Sequence, residues 1–209
     1  MKPDLRLIVI TDTALAAPRR VLDVVRDCIE AGAPAVQLRN KHAAARELYE
    51  QAIELRGLTR EHGALLFVND RFDVALAAGA DGVHVGPHDV PIAALRAVAP
   101  AGFLIGGSTD DPETARRLEH AGASYIGCGA VFGTRTKDVG DERIGVEGLQ
   151  RVVRATSLPV VAIGGITGEN APAAIAAGAA GVAVVSALMK AAEPGTVVRT
   201  LLAGQPQHA

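Results

Sequence analysis

Cationic side chains recur in this sequence directly after short apolar runs. Gln37, Arg39 and Lys41 follow one run, and Lys137 closes a hydroxyl-and-cation segment, 134–137, that follows another. Arginine binds phosphate oxygens with two parallel donors and lysine binds them as a point charge. Three cations exceed what one phosphate needs, so the pattern predicts a more highly charged anion such as pyrophosphate. The alternative for Arg39 and Lys41, a solvated loop, is disfavoured because Gln37 and Arg39 flank a predicted strand end.

Two carboxylates, Asp70 and Asp89, each come just after another apolar run. Mg²⁺ typically takes one or two carboxylates together with phosphate oxygens and water, so the pair predicts a magnesium site. Each carboxylate alone has a simpler interpretation, since Asp70 can form a turn with Asn69 and Asp89 can cap a helix. Zinc held by His84, His88 and Asp89 is disfavoured, because no third nitrogen or sulfur ligand is close by. His84 is expected to pack inside the fold.

Small residues follow two later runs. Gly164 and Gly165 come after one, and Val185 and Ser186 open a helix after the next, which we expect to be the last. Bare backbone N–H groups and a helix N-terminus suit a phosphate group, although Gly-Gly also makes a tight turn. The long polar segment 127–145 predicts a lid over such a site, with a disordered loop as the alternative.

The fold must bring these residues together, and eight apolar runs indicate how. The runs are continuously apolar rather than alternating, which is typical of parallel strands covered on both faces. They are 7–10, 35–38, 65–68, 82–85, 103–106, 124–127, 160–163 and 182–185.

Helical patterns separate the runs and end at glycine, as at Gly32, Gly122 and Gly178. Strand-helix alternation of this kind predicts an α/β protein, a (β/α)8 TIM barrel, over residues 1–209 as one domain with a flexible tail from about 204. An open doubly wound sheet would need a glycine fingerprint after its first strand, where residues 11–14 instead are Thr-Asp-Thr-Ala. In a barrel, the residues after each strand line the catalytic end.

Composition excludes several classes of function. The chain has 209 residues, 21 Lys+Arg against 23 Asp+Glu, and 3% aromatic residues, which argues against a nucleic-acid partner. No apolar run is long enough to span a membrane, and the first residues form no signal peptide. Two cysteines without a CxxC spacing predict no disulfide framework. We expect a cytoplasmic protein, and the apolar barrel exterior is compatible with a homo-oligomer.

Seven segments in this order resemble the thiamine-phosphate synthase family. The Gln-x-Arg-x-Lys, Asn-Asp-Arg and Thr-x-Thr-Lys motifs taken together are specific, whereas the Ile-Gly-Gly stretch alone occurs in many phosphate-binding barrels. The resemblance runs from about residue 5 to 190, through the segments 36–41, 68–71, 81–89, 107–108, 129–137, 161–166 and 184–187.

The resemblance implies an enzyme that joins an aminopyrimidine methyl pyrophosphate to a thiazole phosphate and releases pyrophosphate. In the family the pyrimidine C–O bond breaks first, and the thiazole nitrogen captures the resulting cation. Asp70 and Asp89 would bind Mg²⁺, and Arg39, Lys41 and Lys137 would be the catalytic groups. The implied pyrimidine pyrophosphate site is Gln37, Arg39, Lys41, Asn69, Ser108 and Lys137, and the implied thiazole phosphate site is Thr134, Arg135, Thr136, Gly165, Val185 and Ser186.

Three positions depart from the family pattern: Pro87, Ala130 and Asp110. Asp110 stands where a histidine is common, and the related thiazole tautomerases are thought to rely on that histidine. The change at 110 therefore argues against the tautomerases rather than against the synthase. Two alternatives stay open beside the transferase. One is an isomerase of the same barrel group that acts on thiazole phosphate alone, and the other is a catalytically silent barrel that binds a phosphate ligand.

Overall fold

Eight parallel strands hydrogen-bond in sequence order and close into a barrel, in which β8 pairs with β1. The computed structural model describes residues 3–133 and 143–205, and these statements apply to those ranges. The strands are β1 Leu7–Ile10, β2 Ala35–Leu38, β3 Leu65–Asn69, β4 Gly82–Val85, β5 Leu104–Ser108, β6 Tyr125–Cys128, β7 Val160–Ile163 and β8 Gly181–Val184. The predicted (β/α)8 TIM barrel is confirmed.

Helices surround the strands and cover the outer face of the sheet. Apolar stripes make this possible, as in α2, where Val24, Val25, Cys28 and Ile29 are buried. The helices are α1 Thr13–Ala16, α2 Val21–Glu30, α3 Ala45–Glu61, α4 Phe72–Ala77, α5 Ile92–Val98, α6 Pro112–His120, α7 Gly145–Ala155, α8 Ala171–Ala176, α9 Ser186–Met189 and α10 Pro194–Leu202.

The strands bury both of their faces, which explains the continuous apolar runs. Along β1, Leu7 and Val9 pack outward against the helices, whereas Ile8 and Ile10 pack inside the barrel. The interior also holds Tyr125, 1% exposed. A parallel sheet between helices and a filled barrel leaves no face for alternating polar residues.

Four of the predicted strands differ from the observed ones by one or two residues at an end. The run at 103–106 is wrong at its start, because the ring of Phe103 packs edge-to-face on Phe72 with centroids 5.5 Å apart. Strand β5 instead continues through two glycines to Ser108. Strands β6 and β8 are each displaced by one residue, and β3 extends to Asn69.

The helix after β8 is also different from the prediction. Val185 and Ser186 open α9, which has four residues, and not the last helix. The residue before a proline avoids the helical region, and Glu193 accordingly has φ −123° and ψ 77° before Pro194 starts α10. The chain therefore does not continue α9, and the separate helix α10 packs as the last helix.

Arginines tie the helices to the strand starts at the amino end of the barrel. Arg96 on α5 donates to the carbonyl oxygens of Gly122 and Phe103 at 3.0 and 2.8 Å and to Ser124 Oγ at 3.2 Å. Arg56 on α3 donates two hydrogen bonds to Asp81 at 2.6 and 3.0 Å. These contacts cross from helix to αβ turn, the end of a barrel where stability is built.

The longest described helix, α3, has 17 residues, and no helix within the described ranges has the length and apolar character needed to cross a bilayer. The predicted frayed tail from about residue 204 stays a prediction, since 206–209 lie outside the described residues.

Candidate active site

A cavity of about 440 Å³ opens at the carboxyl ends of the strands. It lies where the loops after each strand converge, the position of the active site in barrel enzymes. One part of its wall is apolar, formed among others by Ile8, Ile10 and Val161. The structure brings ten of the predicted site residues into its lining: Gln37, Arg39, Lys41, Asn69, Asp70, Asp89, Ser108, Gly165, Val185 and Ser186.

The remaining predicted residues are Thr134, Arg135, Thr136 and Lys137. They lie outside the described residues, as do residues 138–142 of the predicted lid segment 127–145. The described part of that segment contributes Gly129 and Ala130 to the cavity wall. Of the three departures from the family pattern, Pro87 and Ala130 line the cavity, whereas Asp110 is exposed and is not in the lining.

Two carboxylates share one side of the cavity. Asp70 follows β3 with φ 62°, a left-handed conformation that aspartate tolerates better than most side chains. Asp89 accepts a hydrogen bond from the Gly86 N–H at 2.7 Å, so it closes its own loop, and α5 begins after Pro91 instead. Burial, followed by the hydrogen bond and charge of Asp89, raises the pKa of Asp70.

The carboxylate pair has the chemistry of a hard cation site. The Lys41 Nζ is 3.8 Å from Asp70 Oδ2, and the charge of Lys41 only partly offsets the repulsion from Asp89. Oxygen ligands, a like-charge pair and an adjacent anion site fit Mg²⁺, which needs only one or two carboxylates. Within residues 3–133 and 143–205, no three His, Cys, Asp or Glu side chains form a metal site.

His84 belongs to a hydrogen-bonded network at the cavity floor. Its Nε2 is 2.8 Å from Ser108 Oγ, and its Nδ1 is 3.0 Å from the Tyr125 hydroxyl. Tyr125 also hydrogen-bonds to Gln37, and burial raises the pKa of its hydroxyl, which stays protonated. Both ring nitrogens of His84 have hydrogen-bond partners, so His84 does not offer a free imidazole to zinc. The expected packed histidine is found, in a polar rather than an apolar setting.

Gly106 makes this network possible. It lies in register between His84 on β4 and Tyr125 on β6. A Cβ at Gly106 would lie 2.2 Å from the Tyr125 ring and 2.5 Å from His84 Nδ1. The two side chains therefore meet across β5 only because the residue between them has no side chain.

The glycine pair after β7 packs against the loop that follows β6. Gly164 and Gly165 have φ 96° and 66°, and a Cβ on Gly165 would lie 2.4 Å from the Gly133 carbonyl oxygen. The left-handed φ angles and the close packing therefore explain why this backbone needs glycine. The same geometry leaves backbone and the first turn of α9 at the cavity edge, where Val185 and Ser186 lie.

Sequence reasoning missed two contributors to the site. Thr11, directly after β1, hydrogen-bonds the backbone of Arg39 through its hydroxyl. Tyr125 opens β6 and reaches the cavity floor from inside the barrel. The signal for Thr11 was a polar residue directly after a strand; Tyr125 gave none, because its orientation depends on Gly106 in a neighbouring strand.

A closed barrel whose carboxyl end gathers cations, paired carboxylates and glycine-rich backbone defines a (β/α)8 enzyme of phosphorylated small molecules. Comparison with known proteins agrees. A family model described as thiamine monophosphate synthase matches residues 7–188. The chain belongs to the thiamine-phosphate synthase family.

Three relatives show how close the similarity is. The thiamine-phosphate synthase of Natronomonas pharaonis is 45% identical over 203 residues, covering 96% of this chain and 95% of that protein. The one from Pyrococcus furiosus is 47% identical over 192 residues, covering 91% and 90%. The solved thiamine phosphate pyrophosphorylase of Pyrococcus furiosus superposes with a TM-score of 0.86 at 44% identity, covering 95% and 94%. The family, the fold and the transferase function predicted from the sequence are confirmed at this level.

Proposed function

We propose that this chain joins 4-amino-2-methyl-5-hydroxymethylpyrimidine pyrophosphate to 4-methyl-5-hydroxyethylthiazole phosphate at the mouth of the barrel, giving thiamine phosphate and pyrophosphate. One observation carries the proposal. A single cavity is lined by Arg39 and Lys41, by the carboxylates Asp70 and Asp89, and by an apolar wall. These are the surfaces that a pyrophosphate, a divalent cation and two aromatic heterocycles require.

The leaving pyrophosphate is the group whose charge grows as the pyrimidine C–O bond breaks. Arg39 and Lys41 lie on the cavity wall after β2, and Lys137 would add a third cation. Preorganised cations where charge develops lower the barrier without reorganisation of solvent. These three residues therefore act as the catalytic groups.

Asp70 and Asp89 would hold Mg²⁺ beside the pyrophosphate. When bound, the ion would neutralise negative charge on the departing group. The carboxylates fit this role because burial and the neighbouring Asp89 raise the pKa of Asp70, and a divalent cation would favour the charged carboxylates.

The pyrimidine ring needs hydrogen-bond partners and apolar cavity walls that exclude water. Gln37, Asn69 and Ser108 supply polar atoms at the cavity floor, and Ile8 and Val161 are among the apolar residues beside them. A methylene cation left after C–O cleavage reacts with any water that reaches it. An apolar wall excludes that water, so the thiazole nitrogen is the nucleophile that captures the cation.

The thiazole phosphate would bind at the opposite side of the mouth, near β7 and β8. Gly165, Val185 and Ser186 present backbone and a hydroxyl there. In this proposal Thr134, Arg135 and Thr136 would bind the same phosphate. A phosphate held here places the thiazole ring over the pyrimidine. Positioning of two reactants is the main catalytic demand of such a substitution, and a strong general base is not required.

Phosphorus NMR tests the proposal directly. We expect the protein with both substrates and Mg²⁺ to form inorganic pyrophosphate and thiamine phosphate in equimolar amounts. Each product gives one phosphorus signal. An isomerase would change thiazole phosphate without any pyrophosphate, and a silent binding barrel would change neither substrate. Either result would contradict the proposal.

Cytoplasmic location and self-association of the chain stay predictions. Cell fractionation tests the first, and sedimentation velocity of the purified protein tests the second. A species at the mass of the single chain, 21.5 kDa, would contradict self-association.

A further inference from the structure

The side chain of Thr11 is one of the few buried polar groups in the described residues. It is 1% exposed and comes directly after β1. The Arg39 backbone N–H donates to Thr11 Oγ1 at 2.8 Å, and Thr11 Oγ1 donates to the Arg39 carbonyl oxygen at 3.2 Å. An N–H can only donate and a carbonyl can only accept, so the direction of both bonds is fixed.

These contacts hold the backbone where β2 leaves the sheet. The Thr11 backbone N–H also donates to the Gln37 carbonyl oxygen at 3.0 Å. Thr11 therefore grips positions 37 and 39 at once, through its main chain and its side chain. Beyond Leu38, which ends β2, regular strand pairing no longer orders the chain.

The guanidinium of Arg39 has a second constraint from the same turn. Asp12 Oδ2 is 4.0 Å from Arg39 Nη1. Asp12 is itself fixed, because its Oδ1 accepts the Leu15 N–H at 3.0 Å as the N-cap of α1. In the turn after β1, Thr11 thus holds the backbone of Arg39, and the Asp12 carboxylate lies near its guanidinium.

We infer that Thr11 is a positioning residue that fixes Arg39 toward the pyrophosphate of the substrate through its hydroxyl group. The inference rests on the proposed function, in which Arg39 binds that pyrophosphate. Small displacements of a charged group from its productive geometry are costly, because the electrostatic benefit depends on distance and direction. Loss of the hydroxyl should therefore weaken catalysis without unfolding the barrel.

The experiment compares Thr11→Ser with Thr11→Cys, which differ only by oxygen against sulfur, and with Thr11→Val, which keeps the shape of threonine. We expect kcat/KM for the pyrimidine pyrophosphate to fall about 10- to 100-fold in the cysteine and valine variants and to stay within about three-fold in the serine variant. KM for the thiazole phosphate should change by less than about two-fold, because Arg39 does not bind it.

Thr59→Val is the matched control. Thr59 is also fully buried, and its hydroxyl donates to the backbone carbonyl of an arginine, Arg56, at 3.2 Å, but on α3 away from the cavity. This variant loses a comparable hydrogen bond. It should keep wild-type kcat/KM, whereas a general loosening of the barrel would lower activity in both variants.

A double substitution separates action through Arg39 from other effects. In an Arg39→Ala background, Thr11→Cys should change kcat/KM by less than about three-fold, since the group it positions is gone. Effects that multiply in the double variant would overturn the inference. So would equal activities of Thr11→Ser and Thr11→Cys, even if Thr11→Val failed to fold.

Binding of inorganic pyrophosphate keeps this test independent of turnover. In calorimetry with Mg²⁺, Thr11→Cys should bind pyrophosphate about ten-fold more weakly than Thr11→Ser. Equal affinities would overturn the role of Thr11. A wild-type protein that binds pyrophosphate but forms no thiamine phosphate would contradict the proposed function alone.

Discussion

Charged groups at the two ends of the barrel have different partners. At the amino end, Arg96 donates to three acceptors, and Glu119 accepts from Thr156 and Ser157, whose hydrogen bonds lower the pKa of Glu119. At the carboxyl end, Asp70 faces a second carboxylate, and its pKa is raised by burial and by Asp89.

The difference separates stability from function. A charged group whose partners are within the fold adds to the free energy of unfolding. A charged group that burial and a like charge destabilise subtracts from it, and a bound cation can relieve that cost. We therefore expect substitutions at the amino end to change stability, and substitutions at the carboxyl end to change catalysis.

The largest effect should come from Asp70→Asn. Losing one carboxylate of the cation site should lower kcat/KM about 100- to 1,000-fold, the loss typical of removing one preorganised electrostatic group. The free energy of unfolding without Mg²⁺ should stay the same or rise, because the repulsion from Asp89 is gone. Steady-state kinetics and urea denaturation measure the two quantities.

Asp73→Asn is the control for this prediction. Asp73 is three residues away, largely exposed and paired with Arg71 on the outside of α4. It should keep wild-type kinetics. Near-normal turnover of Asp70→Asn would instead remove Asp70 from the site.

Arg96→Met, in contrast to Asp70→Asn, should lower stability and leave catalysis unchanged. It leaves the carbonyl oxygens of Gly122 and Phe103 without their donor, so the free energy of unfolding should fall by about 2–3 kcal/mol. The kcat/KM of the folded enzyme should not change. Arg116→Met, an exposed position on α6, is expected to alter neither quantity. A catalytic defect in Arg96→Met below its unfolding temperature would break the division between the two ends.

Tyr125→Phe tests whether the barrel interior contributes to stability, to catalysis or to both. It removes the hydroxyl that joins Gln37 to His84, and so frees Ser108 from a fixed network. We expect about a ten-fold lower kcat/KM and a loss of about 1 kcal/mol in stability, an effect of both kinds. Tyr49→Phe on the exposed face of α3 is the matched variant. Unchanged kinetics would show that the network only fills the barrel.

The smallest effect concerns pH. The folded-state pKa of Asp70 is raised, so the folded protein binds more protons than the unfolded chain between the two pKa values. Its contribution to stability is present at pH below 3.8, the ordinary value, and is lost as pH rises through the folded pKa. In EDTA, Asp70→Asn should therefore gain stability relative to wild type between pH 4 and pH 7. A difference in free energy of unfolding that is flat across this range would contradict the raised pKa of Asp70.

The fold was predictable because each strand is buried on both faces. The run at 7–10 is apolar throughout for that reason, and its bounds agree with β1. The predicted strand bounds were less exact at β5, where composition does not mark the ends of the strand. Phe103 is apolar, but its ring packs on Phe72 of α4. Gly107, which the predicted run leaves out, lies inside β5 although glycine is depleted in strands.

The site was predictable to the extent that its residues follow strands. Asp70 and Arg39 are found at the cavity because the end of a strand fixes the end of the barrel. Thr11 carried the signal of a polar residue after a strand and Tyr125 carried none, and the role of each depends on the residue that it meets across the sheet. That Arg39 lies beside Thr11 is a property of the β1–β2 register, which no local pattern contains.

The most direct test of a cation site at the carboxyl end is the Mg²⁺ dependence of pyrophosphate release. It is measured in wild type and in Asp89→Asn. We predict that the wild-type rate saturates with Mg²⁺ and falls to background after chelation, and that Asp89→Asn needs at least about ten-fold more Mg²⁺. A wild-type rate that survives complete chelation, or an unchanged Mg²⁺ requirement in Asp89→Asn, would contradict it.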